Sequence, residues 1–105
     1  MRISLKEKNL IVQSLDKNLG EINFQVFLFG SRVNDQKKGG DIDLLVQVSP
    51  NDFSSVVNKK YLLKFDLEEV LGDQRVDLTI STSERMQEDP FLISIQPDLI
   101  DLRLD

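Results

Sequence analysis

Asp41 and Asp43 stand two residues apart in the run Asp41-Ile42-Asp43-Leu44-Leu45-Val46, and Asp77 stands in a second run, Arg75-Val76-Asp77-Leu78-Thr79-Ile80. Strand side chains alternate between faces, so Asp41 and Asp43 point the same way, with Cα atoms about 6.6 Å apart. Val76 and Leu78 claim the core side of their strand, which sends Asp77 to the same outer face. Two like charges in a partly enclosed site are costly without a cation. Three carboxylates so placed suit a divalent metal, and magnesium takes one or two protein carboxylates together with phosphate oxygens. A salt bridge to Arg75, on its own face, is the bland alternative for Asp77.

Ahead of the pair, Phe29-Gly30-Ser31-Arg32 ends an apolar stretch. Glycine lets the backbone approach a phosphate closely, and successive N–H groups with the Ser31 hydroxyl suit an anion nest. Arg32 is equally suited to a phosphate or to an acidic neighbour. Lys37 and Lys38 read as solvated loop charges. The turn is not a P-loop, because no Gly-x-x-x-x-Gly-Lys-Ser/Thr occurs.

The elements that must position these residues follow from periodicity and punctuation. Ser4 and Glu7 form a capping box, and Leu5, Leu10, Ile11, Leu15 and Leu19 recur at helical spacing before Gly20, which predicts a helix from Ser4 to Leu19. Phe24 to Phe29 reads as a buried strand ending at Gly30. Asn34 to Gly40 is a polar, glycine-rich loop. Asp41 to Val48 is a second strand, with Ile42, Leu44, Val46 and Val48 on its apolar face. Ser49 to Asp52 reads as a turn. The spacing predicts one helix from Ser54 to Leu71, with Leu63, Leu67, Val70 and Leu71 on one stripe widened by Tyr61, Leu62 and Phe65. Gly72 takes the C-cap position. Arg75 to Ser81 is the third strand, Pro90 to Ile95 a short helix with Pro90 in its first turn, and Leu99 to Leu104 a last strand. The order α-β-β-α-β-α-β, with carboxylates on one strand face and apolar residues on the other, predicts a two-layer α+β fold. Helices cover one face of a small mixed sheet, and the acidic face stays open.

Composition narrows the chemistry. A chain of 105 residues reads as one small domain. The net charge of −5 argues against a general grip on DNA or RNA, which needs a basic face; metal can still bring phosphates to an acidic site. There are no cysteines and no histidines, which removes disulfides, thiolates, Ser-His-Asp hydrolysis and His-ligated zinc together. Carboxylate, Lys, Arg, Ser, Thr, Tyr and metal remain. No apolar run approaches the roughly 20 residues that span a bilayer, and the N-terminus lacks a signal-peptide core, so a cytoplasmic protein is expected.

Taken together, Gly30-Ser31, Asp41-x-Asp43 and Asp77 resemble the nucleotidyltransferase superfamily that includes DNA polymerase beta, poly(A) polymerases and kanamycin nucleotidyltransferase. The short length and the run from Gly30-Ser31-Arg32 to Gly40-Asp41-Ile42-Asp43-Leu44-Leu45-Val46 are most similar to the minimal nucleotidyltransferase (MNT) proteins, and the resemblance covers about Gln25 to Ile80. It implies a polymerase beta-like fold in which Gly30 and Ser31 hold the triphosphate; Arg32, beside them, is the further candidate for a nucleotide contact. Asp41 and Asp43 would hold magnesium, Asp77 would complete the site, and a second ion would stabilise the leaving pyrophosphate. Asp77 is also placed to orient or deprotonate the acceptor hydroxyl. Gly40 departs from the Ser or Thr that many members carry there. Many MNT proteins are antitoxins paired with a HEPN-type helical ribonuclease, and some transfer AMP from ATP to a tyrosine of that partner. The resemblance thus implies ATP as substrate, a HEPN-type partner, and no membrane or sequence-specific nucleic-acid contact. Neutralisation of the partner by occlusion alone is the competing expectation.

Overall fold

The computed structural model describes residues 3–30 and 41–103. Its elements run α1 (Leu5–Leu19), β1 (Phe24–Phe29), β2 (Ile42–Val48), α2 (Pro50–Asn58), α3 (Lys60–Val70), β3 (Val76–Ser81), α4 (Ser83–Glu88), α5 (Pro90–Ile95) and β4 (Ile100–Asp101), with a 3-10 turn at Gln96–Asp98. The strands form one mixed sheet in the order β3-β2-β1-β4. β1 pairs antiparallel with β2 and β4, and β2 pairs parallel with β3. The parallel pair needs a crossover, and α2 and α3 supply it.

Local chemistry sets the helix ends. The Ser4 hydroxyl accepts from the Glu7 N–H and the Glu7 carboxylate accepts from the Ser4 N–H, so the expected capping box forms. Gly72, at φ +71°, follows α3. Its N–H donates to the Glu69 carbonyl and that of Asp73 to the Glu68 carbonyl, the paired bonds of a Schellman motif.

One face of the sheet carries the main core. Ile42, Leu44, Val46 and Val48 of β2 and Val26 and Leu28 of β1 pack with Ile11, Leu15 and Leu19 of α1, Val56 of α2, and Leu63 and Leu67 of α3. At about 25 cal/mol per Å² of apolar surface removed from water, this layer is the main stabilising term.

Several expectations need correction. The helix expected from Ser54 to Leu71 is two helices that break at Lys59, and Pro50 starts the first of them at N1, where its missing N–H costs nothing. Tyr61, Leu62 and Phe65 face solvent and do not widen the buried stripe, and Val70, expected on the stripe itself, is exposed too, which leaves Leu63 and Leu67 buried. Ser83–Glu88 is an additional helix, N-capped by the Thr82 hydroxyl, which accepts from the Arg85 N–H. The last strand is only Ile100–Asp101, and just beyond it the buried Leu102 still donates its N–H to the Val26 carbonyl of β1 at 2.9 Å; Leu104, its expected end, lies outside the described residues. In α1, Leu5 faces solvent.

The acidic face is also not bare along its length. Leu45 and Phe29 on that face pack with Met86 of α4 and Leu92 of α5 in a second apolar cluster, joined by Phe27, Ile95 and Leu99. Gln96 ties the pair of helices together by donating to the Met86 carbonyl. The face is therefore covered beside the aspartates, and Asp77 among them is exposed.

Candidate functional site

The β2–β3 register places Asp43 directly beside Asp77. Paired residues in neighbouring strands share a face at a strand spacing of about 4.8 Å. Their neighbours Ile42, Leu44, Val76 and Leu78 are all in the main core, which fixes both aspartates on the opposite side. Asp77 is exposed, and Asp41 and Asp43 are partly buried. Asp41 stands two residues before Asp43 at the start of the strand, where the Ile42 N–H donates to the Arg75 carbonyl. Arg75 approaches Asp41 loosely, at 3.8 Å. The pairing open to Arg75 is therefore with Asp41 and not with Asp77.

The electrostatics follow from this packing. The Asp43 carboxyl is pushed above its usual pKa, first by burial, then by the charge of Asp77, then by that of Asp41. Among the described residues, no hydrogen-bond donor serves it. Among the described residues, an ionised Asp43 therefore meets like charge and no cation.

Gly30 completes the enclosure. It follows β1 directly with φ +77°, and a Cβ built on it would collide with Asp43 Oδ2 and lie only 3.3 Å from Asp43 Cβ. Only glycine allows the backbone so close to that carboxylate. On its other flank, Phe29 is the antiparallel partner of Asp43. Ser31, Arg32, Lys37, Lys38 and Gly40 lie outside the described residues.

These residues fit a hard divalent cation by the chemistry of their oxygens and by the raised proton affinity of Asp43, which a cation would relieve. They do not form a finished cage: among the described residues, no group of three or more carboxylates converges at metal-holding geometry. Magnesium asks for fewer, since one or two carboxylates with phosphate and water oxygens complete its shell. The apolar surroundings of the site were not expected from the sequence. The signal was the unbroken Leu44-Leu45-Val46, since a strand buried on both faces reads as a continuous apolar run.

Among the described residues no helix is long and apolar enough to cross a membrane. Comparison with curated proteins gives no significant match. The family model described as "Polymerase beta, Nucleotidyltransferase" matches residues 9–94. That span takes in most of α1, all three long strands and their acidic face, so the chain belongs to the polymerase beta nucleotidyltransferase family, and nucleotidyl transfer is the general kind of chemistry it serves.

Proposed function

We propose that this chain is a single-domain, cytoplasmic, magnesium-dependent nucleotidyltransferase that moves AMP from ATP onto a hydroxyl of a partner protein. The observation that carries the reading is the register that sets Asp43 beside Asp77 against Gly30, within a chain of this family. Asp41, Asp43 and Asp77 are the residues that would hold magnesium. When bound, the ion offsets phosphate charge and makes the α-phosphorus more open to attack. Gly30 gives the triphosphate a close backbone approach, with Ser31 and Arg32 as its further contacts. The acceptor oxygen forms a bond to the α-phosphorus, the bond from that phosphorus to the α–β bridging oxygen breaks, and pyrophosphate leaves with the electron pair. The exposed Asp77 accepts the hydroxyl proton, a task for which the chain has no histidine.

The partner reading rests on the resemblance to MNT proteins and on one structural observation. Val57, Tyr61, Leu62 and Phe65 are exposed apolar residues close together in sequence on α2 and α3, with Tyr61 84% exposed. Exposed apolar surface, where it is contiguous, marks interaction sites. A HEPN-type helical protein is the partner we propose, with its tyrosine, serine or threonine reaching toward Asp77. The same exposed residues support the second reading, in which the chain neutralises the partner by binding alone.

Co-purified complex incubated with magnesium and α-labelled ATP separates the two. A gain of one or more AMP masses on the partner, lost with Asp41→Asn, is the expected result. A stable complex whose partner mass never changes would establish occlusion instead. Thermal unfolding provides a check independent of the partner. Magnesium ATP at 100 times its Kd should stabilise the fold by about 2.7 kcal/mol, and ATP with chelator should do much less. Equal shifts would refute the metal requirement.

A further inference from the structure

We propose that Phe91, with Phe29 beside it, forms the face on which the base of the nucleoside triphosphate stacks. The inference rests on the nucleotidyltransferase reading and adds the base-recognising residue.

Phe29 lies in register with Asp43 on the acidic face and directly precedes Gly30. It is only 7% exposed and cannot present a ring to a ligand. Phe91 covers it edge-on, with ring centroids 6.2 Å apart and planes at 70°. Phe91 itself remains 53% exposed. Phe29 is the cross-strand partner of Asp43, with Cβ atoms about 5 Å apart, so a single side chain, Phe29, stands between the Phe91 ring and Asp43.

The ring is also held in place. The Asp89 carboxylate accepts from the N–H groups of Phe91 (2.9 Å) and Leu92 (3.3 Å), and Pro90 occupies N1. Leu92 is buried in the second apolar cluster, which locks α5 onto the sheet. An aromatic ring on a rigid support, half-bare against the strand partner of Asp43, is unusual if its only task is to cover Phe29. An aliphatic residue would cover Phe29 with less apolar surface left in water. A nucleobase uses that surface, since every base offers a π-face and stacking on an aromatic side chain adds affinity without hydrogen bonds. Carboxylates that hold a metal draw the phosphates to themselves, which leaves the base for the exposed ring of Phe91.

The test compares two probes in the presence of magnesium: ATP, which carries a base, and inorganic tripolyphosphate, which does not. Phe91→Ala should weaken ATP binding about ten- to hundredfold and leave tripolyphosphate binding unchanged, and Phe91→Tyr should keep ATP affinity near that of the native chain. The chain contains no tryptophan, so Phe91→Trp provides a single indole fluorophore at the proposed face. ATP should quench its emission and tripolyphosphate should not. If Phe91→Ala binds ATP as the native chain does, or the indole emission of Phe91→Trp is unmoved at saturating ATP, the stacking role is overturned while the nucleotidyltransferase reading stands. If native protein binds neither ATP nor tripolyphosphate, the underlying reading fails and the stacking role falls with it.

Discussion

Glu68 and Asp43 stand on either side of the start of β3, and their surroundings treat them in opposite ways. Glu68, on α3, accepts from Lys64 Nζ at 2.7 Å and from the Val76 N–H at 2.9 Å. Those two bonds, the lysine first, hold its carboxyl below the usual range. Asp43, on β2, meets burial, Asp77 and Asp41, and its carboxyl is pushed up. One carboxylate is satisfied by the fold that it helps to hold. The other meets no counter-charge among the described residues, at a place where only glycine fits against it. Acidic residues alone do not mark a site; a carboxyl whose proton affinity is raised by burial and like charges is a stronger sign.

The strongest way to break this comparison is to remove the Asp43 charge. Asp43→Asn should lower transfer by about a thousandfold or more, since metal-bound charge stabilisation is worth several kcal/mol. Its folding stability at neutral pH should rise. The folded Asp43 binds its proton more tightly than the unfolded chain, so its contribution is greatest below the ordinary value of 3.8 and declines as pH rises through the raised folded value. Melting curves from acid to neutral pH should show that decline flattened in the variant. Full activity would refute the assignment, and an unchanged profile would refute the charge argument.

Gly30→Ala tests the enclosure without touching a charge. The new methyl must displace the Asp43 carboxylate, and an ångström of misplacement costs about a hundredfold in rate. The left-handed backbone adds a stability cost of about 1–2 kcal/mol. Transfer assays together with denaturant unfolding measure both. An active variant would show that the close approach has no chemical role.

Glu68→Gln should do the reverse of Asp43→Asn: lower the melting temperature and leave the site's chemistry in place. Glu68 contributes stability above its ordinary 4.5 and loses it as pH falls through the lowered folded value, so the variant should lose the corresponding acid limb. The smallest effect belongs to Asp77→Asn read at its neighbour. A carboxyl-carbon NMR titration of Asp43 should show its midpoint fall but not return to normal, because burial ranks ahead of Asp77 among the causes. A midpoint unmoved by the substitution would remove Asp77 from the account.

Much of this was legible in the sequence because strand parity is strict. Ile42, Leu44, Val46 and Val48 all reach the main core, and Asp43 and Asp77 consequently share the other face. What parity cannot show is a residue buried on the wrong side. Leu45 needed the helix Ser83–Glu88, whose Thr82 cap follows a strand with no glycine or proline to announce it. The break at Lys59 was equally silent: its backbone leaves helical geometry without a breaker residue, and Tyr61 and Phe65 beyond it face solvent. The Gly30 turn was visible as a motif, but its contact with Asp43 depends on strand register, and register needs the three-dimensional pairing.

The Lys64–Glu68 pair has a further consequence. β3 is an edge of the sheet. In the parallel register Val76 stands opposite Ile42, whose N–H reaches the Arg75 carbonyl, so the N–H and carbonyl of Val76 point outward. Glu68 accepts from that N–H, and Lys64 donates to that carbonyl at 2.7 Å. Both hydrogen-bonding groups that a foreign strand would use first are already engaged by a helix of the same chain. The bridge that steadies α3 therefore also guards the border against strand addition, the first step of edge-to-edge aggregation.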